Sequence, residues 1–173
     1  MEYMDEVGML EYRLAEAKDI DAVYGMVKSA VAEMESRHIF QWDDVYPAKE
    51  DFLADIEKQS LYVGTLCNDI ALLFTINKDC DAQYKNGSWQ YPDCEYRVLH
   101  RLCVNPAYQN RGLAKQALRH IEKALCRRGI EAIRLDVFCG NPFALSLYRK
   151  SGYETVGIAK WRKGEFLLME KHL

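Results

Sequence analysis

A chain of 173 residues, 49% of them apolar, is long enough to bury one substantial core, and 28% charged residues of mixed sign exclude a disordered chain. A net charge of −3 lacks the basic footprint of a nucleic-acid binder, so neither DNA nor RNA is expected as a partner. No apolar run is long enough to cross a bilayer, and the acidic stretch from Met1 to Leu10 does not read as a secretory signal. The six cysteines (Cys67, Cys80, Cys94, Cys103, Cys126 and Cys139) form no C-x-x-C pair, and no two histidines stand at helical ligand spacing. They read as reduced thiols of a cytoplasmic protein, with no metal site expected.

The chain, residues 1–173, reads as one domain without repeats or linkers. Leu10–Leu14 predicts a short opening strand. Ile20, Val23, Tyr24, Val27, Ala30, Val31 and Met34 recur at helical spacing, with Asp19 placed as the cap. A loop carrying Phe40, Trp42, Tyr46 and Pro47 leads to a second helix with Phe52, Leu53 and Ile56. Leu61–Cys67 and Ile70–Ile76 read as two strands meeting in a tight turn at Asn68-Asp69. Residues 77–95 form a polar, aromatic excursion. The strand from Tyr96 to Val104 alternates Val98, His100, Leu102 and Val104 on one face, and Asn105-Pro106 ends it. A third helix follows, with Leu113, Ala114, Ala117, Leu118, Ile121, Ala124 and Leu125 as its apolar stripe and Gly129 as its stop. After a strand at residues 130–138, Asn141, Pro142 and Gly152 punctuate a fourth helix, and two strands near 153–160 and 165–170 finish the chain. The order gives a mixed α/β domain around one sheet.

The segment from Val104 to Lys115 is a strand end, a short loop and a helix start. The first-turn amides of a helix have no internal partners, and the helix dipole makes that end positive. Gly112 and Ala114 put no bulk before those amides. With Arg111 and Lys115 nearby, the turn reads as a pyrophosphate site. It is not a P-loop, because Leu113 rather than lysine follows Gly112, and the chain has no G-x-G-x-x-G. On this segment alone, an ordinary capped strand–helix turn explains the residues equally well.

Its company is more specific. Gln109-x-x-Gly112-x-Ala114 resembles the acetyl-CoA signature of the GNAT superfamily of N-acetyltransferases. The preceding strand, His100 to Val104 with Pro106, and Asn141-Pro142-x-Ala144-x-x-x-Tyr148-x-x-x-Gly152-Tyr153 resemble its neighbouring motifs. The one departure is Ala114, where glycine is common. The resemblance spans roughly residues 10–170. It implies a central, mostly antiparallel sheet of about seven strands with about four helices, splayed between the fourth and fifth strands. It implies that the backbone of Leu102, Cys103 and Val104 pairs with the pantetheine amides of acetyl-CoA. Gln109, Asn110, Arg111, Gly112, Leu113, Ala114 and Lys115 would hold the pyrophosphate, while Asn141 and Tyr148 would touch the cofactor arm.

The expected activity is transfer of an acetyl group from acetyl-CoA to a primary amine by direct attack. The departing thiolate, with a thiol pKa of roughly 8.5, gains from a proton donor, and a phenol of pKa about 10 qualifies. Tyr148 lies two helical turns beyond Asn141, about 10 Å along the same face, and is the expected acid. The amine, protonated at neutral pH, needs a base. Asp136 resembles a position where some family members hold a carboxylate, and Glu95 and His100 are the other candidates. Each of these residues also has a structural reading: a helix cap, a core tyrosine, a solvated acid. Phe40, Trp42, Tyr46, Tyr84, Trp89 and Tyr91, with Asp43, Asp44, Asp93 and Glu95 among them, either wall an acceptor pocket or pack their loops onto the body. The alternative function is a GNAT-fold module that binds acyl-CoA without turnover. Family members are often dimers, so a homodimer is a further expectation from the resemblance.

Overall fold

The computed structural model describes residues 10–173. The expectation of no secretory signal falls mainly on residues 1–9, outside the described residues. The elements are β1 (Glu11–Leu14), α1 (Ile20–Ser36), α2 (Lys49–Glu57), β2 (Leu61–Leu66), β3 (Asp69–Asn77), β4 (Tyr96–Val104), α3 (Leu113–Cys126), β5 (Ala132–Phe138), α4 (Pro142–Lys150), β6 (Glu154–Trp161) and β7 (Gly164–His172). This is the element order expected from the sequence. No helix among the described residues is long and apolar enough to cross a membrane.

One seven-stranded sheet runs β1-β2-β3-β4-β5-β7-β6. Every pairing is antiparallel except that of β4 with β5. That parallel pair holds only at Tyr96, Arg97 and Val98 against Ala132, Ile133 and Arg134. Beyond it the strands part. β4 stays with β3 up to Val104, and β5 stays with β7 up to Phe138. The wedge left between them exposes ladder groups that no strand among the described residues fills.

Two cores sandwich the sheet. Leu113, Ala117, Leu118, Ile121 and Leu125 of α3 and Tyr148 of α4 pack on one face. Val23, Met26, Val27 and Ala30 of α1 and Phe52 of α2 pack on the other. At roughly 25 cal/mol per Å² of apolar surface, these two layers supply the main drive to fold.

Four local expectations need correction. Asp19 does not cap α1 with its side chain. Its carboxylate is taken by Arg13 at 2.7 and 2.9 Å and by the Glu16 amide at 2.8 Å, which ties β1 to the turn before the helix. The β2–β3 turn is Cys67-Asn68, both with positive φ, one residue earlier than composition suggested. Such a two-residue turn matches the strand twist. In α2 the predicted core residue Leu53 is 42% exposed, and Asp55 is buried instead. Lastly, the alternation along β4 breaks at a bulge. Thr75 faces His100 and Leu73 faces Cys103, so Arg101 and Leu102 together oppose Phe74. Arg101 has φ +52°, a left-handed conformation unusual for a non-glycine residue. Leu99 therefore packs on the same core as Leu102 and Val104, while Cys103 reaches the opposite one.

The excursion at residues 77–95 is pinned by a buried ion pair, Arg134 to Glu170 at 3.1 Å. The guanidinium lies between the Trp89 and Tyr96 rings, 4.5 and 3.9 Å from their centroids, and donates to the Tyr91 carbonyl at 2.9 Å. Glu170 also accepts from the Gln90 amide at 2.8 Å. A buried charge pair needs its remaining polar atoms satisfied, and the excursion backbone satisfies them.

Candidate active site

A cleft of about 890 Å³ runs through the wedge between β4 and β5. One end is built from backbone. Gly112, at φ +74°, turns the chain into α3, and a side chain built there would meet no protein atom within 4 Å. The amides of residues 110–115 donate to no carbonyl or side chain of the described residues; the first bond of this helix is Gln116 to Gly112 at 3.0 Å. Six free donors at a positive helix end make an anion cradle. Leu102, Cys103, Val104, Gln109, Asn110, Gly112, Leu113, Ala114 and Lys115 all line the cleft. Arg111 does not; its guanidinium lies outside, 5.3 Å over the Tyr108 ring.

Asn141 caps α4, accepting from the Ala144 amide at 3.0 Å. Its side-chain amide reaches across the cleft to Gln41 Oε1 at 3.0 Å. Cys103 is buried, and its thiol is pushed up to about 12 by desolvation, which makes it a poor nucleophile at neutral pH. That supports direct attack rather than a cysteine relay.

The cleft brings Tyr148 and Asp136 together from α4 and β5. Burial, seconded by the charge of Asp136, raises the Tyr148 phenol above its ordinary value, so it remains a proton donor. Burial likewise raises the Asp136 carboxyl, partly offset by the Tyr84 hydroxyl donating to it at 2.8 Å and by the charge of Arg101. A carboxylate shifted upward is a stronger base. His100 also lines the cleft, where burial lowers its pKa and holds it neutral. Its Nε2 is engaged with Asn77 Oδ1 at 2.8 Å. Glu95 is exposed, paired with Lys78 at 2.9 Å and absent from the cleft walls.

The aromatic residues divide. Trp42, Tyr46 and Tyr84 line the cleft, joined by Trp161 and Phe166, which sequence reasoning missed. Phe40 stands 53% exposed, Tyr91 lies at the surface, and Trp89 packs on Arg134. Asp44 and Asp93 are exposed and outside the cleft. A second missed feature is the bulge residue Arg101. It donates to the Tyr46 hydroxyl at 2.8 Å and pairs with buried Asp55, which also accepts from Thr75 at 2.9 Å. Its guanidinium stands 5.9 Å over both the Tyr46 and Phe52 rings, so one side chain ties β4 to α2 and to the loop before it. Only the bulge aims it there, and a bulge leaves no sequence signal.

The chain matches the family described as "Acetyltransferase (GNAT) family" over residues 27–153, and it belongs to that family. It is 39% identical over 69 residues to the N-alpha-acetyltransferase RimI of Mycobacterium tuberculosis, covering 40% of this chain and 41% of that protein. It is 32% identical over 63 residues to the [Ribosomal protein bS18]-alanine N-acetyltransferase of Escherichia coli, covering 36% of this chain and 43% of that protein. The matches thus span about two-fifths of the length of these curated relatives. In fold it is similar to a GNAT-family acetyltransferase of Streptococcus agalactiae, with TM-score 0.83, 23% identity and 95% of both chains covered. It is also similar to the PaiA N-acetyltransferase of Thermoplasma acidophilum solved in complex with coenzyme A, with TM-score 0.72, 18% identity, and 96% of this chain and 100% of that one covered. The seven-stranded sheet with its β4–β5 splay is the fold these neighbours share.

Proposed function

We propose that the protein transfers an acetyl group from acetyl-CoA to a primary amine by direct attack. The observation that carries this reading is one continuous cleft joining free α3 amides, open strand edges, a raised carboxyl and a raised phenol. The pyrophosphate sits on the amides of residues 110–115. The pantetheine arm adds to the open edge of β4 at Leu102–Val104, as an extra strand would. That delivers the thioester toward Tyr148. Asp136 takes the proton that an alkylammonium carries at neutral pH, and the neutral amine attacks the thioester carbon. The carbon–sulfur bond breaks, Tyr148 gives its proton to the departing thiolate, and the proton that the nitrogen sheds on becoming an amide returns the phenolate to the phenol.

Calorimetric titration with acetyl-CoA, with ATP and NAD as controls, tests the cofactor. Micromolar binding of acetyl-CoA alone is expected, followed by thiol release in an amine screen. Absence of binding removes the reading. Binding without thiol release for any amine favours the non-catalytic module instead.

A further inference from the structure

The loop joining α1 to α2 crosses the cleft and is fastened at three places. Tyr46 is held by Arg101 from below, Gln41 by Asn141 at the α4 cap, and Asp43 by the turn between β6 and β7. The last fastening spans 119 positions of sequence. Arg162 grips both Asp43 oxygens at 2.8 and 2.9 Å, and Lys163 adds a contact at 2.7 Å. Arg162 and Lys163 line the cleft beside Trp161 and Phe166, and Trp161 packs on Tyr84, which bonds Asp136. The three fastenings differ in kind. The Tyr46 end rests on a guanidinium that is itself buried against Asp55, whereas the side chains of Arg162 and Lys163 are 54% and 24% exposed. Exposed ion pairs are weak and screened by salt. The loop is therefore anchored through a buried network at Tyr46 and, three residues away in the same hydrogen-bonded turn, through partly exposed ion pairs at Asp43 that salt can weaken.

We propose that Asp43, clamped by Arg162 and Lys163, is a specificity-determining latch: it holds the loop of residues 37–47, whose Ile39, Gln41, Trp42 and Tyr46 line the cleft, close against the acceptor, so that slender amines enter ahead of branched ones. The proposal rests on the transferase reading for its acceptor, but the latch is measurable without one. Asp43 also accepts from the amides of Val45 and Tyr46 at 3.0 and 3.1 Å through Oδ1. Asp43→Asn keeps an oxygen for that turn while removing the charge. Arg162→Gln with Lys163→Gln removes the partners and leaves the loop sequence intact.

The test is hydrogen–deuterium exchange of the full chain at about 0.01 M and at about 1 M salt, where screening is weak and strong in turn, read over residues 38–46. Each variant should raise exchange about 2- to 10-fold at low salt, and the triple variant should rise no further. Salt should raise exchange in the unmodified protein and leave the variants unmoved. Unchanged exchange in either variant, or additive effects, overturns the latch. Selectivity is read by acetyl-CoA-dependent thiol release with n-butylamine and sec-butylamine. The unmodified protein should prefer n-butylamine, and both variants should shrink that preference about 3- to 10-fold with acetyl-CoA affinity unchanged. An unchanged preference overturns the specificity role. No thiol release from either amine, with the latch intact by exchange, overturns the slender-amine acceptor and sends the transferase reading back to its own titration.

Discussion

The two ends of the cleft are made from different materials. The end proposed for the cofactor is backbone: unpaired amides at the start of α3 and the open edge of β4. The end proposed for the acceptor is side chains gathered from far apart in sequence: Tyr46 with Arg101, Tyr84 with Asp136, Asp43 with Arg162. A backbone site needs only a turn of fixed shape and residues small enough to stay clear, so a short segment encodes it. A side-chain site needs several segments to arrive at once.

The comparison can be broken most sharply at Gly112. A β-carbon at Gly112 meets no protein atom within 4 Å, so the effect of Gly112→Glu falls first on the left-handed turn and on the anion. Acetyl-CoA affinity measured by calorimetry should drop at least about 100-fold, with turnover lost as a result. Retained affinity would mean the phosphates lie elsewhere. Tyr148→Phe should lower turnover about 10- to 10⁴-fold and leave acetyl-CoA affinity nearly intact, as pre-steady-state thiol release would show.

Asp136→Asn sharpens the contrast through pH. The folded carboxyl titrates above its ordinary value because it is buried. Activity should therefore rise as pH climbs through that raised pKa, and the rise should disappear in the variant. Stability runs the other way. The folded state binds the Asp136 proton more tightly than the unfolded state, so this group's contribution falls as pH rises from the unfolded value through the folded one. Asp136→Asn should accordingly raise the Tm at pH 7, and the gain should vanish below about pH 4. The smallest effect is expected at Arg101→Lys. It keeps the charge but loses the fork that reaches Tyr46 and Asp55 together. The KM for the acceptor should rise a few-fold while acetyl-CoA affinity stays put.

Legibility in the sequence followed the same division. Element order, the α3 stripe and the Asn141 and Gly152 boundaries could be read because local spacing and capping determine them. The Gly112 turn and the free amides of residues 110–115 were legible for the same reason; the direction of the Arg111 side chain, over Tyr108, was not. Trp161, Phe166 and Arg101 were missed. The first two come from a hairpin that pairing with β5 carries to the cleft, and the third is aimed by the bulge. Asp43 stood among the acids that either wall an acceptor pocket or pack their loops; Arg162 and Lys163 already occupy it and hold its carboxyl well below the usual range.

The bulge in β4 has one more consequence. Leu99, Leu102 and Val104 would alternate without interruption if Arg101 were absent, so Arg101 is the extra residue of the bulge that it forms with Leu102 opposite Phe74. Under the proposed function, a change of its side chain leaves intact the register that offers Leu102–Val104 to the cofactor, and the bulge becomes a position where acceptor preference can drift over evolutionary time, or be redesigned at the bench, while the donor half stays constant.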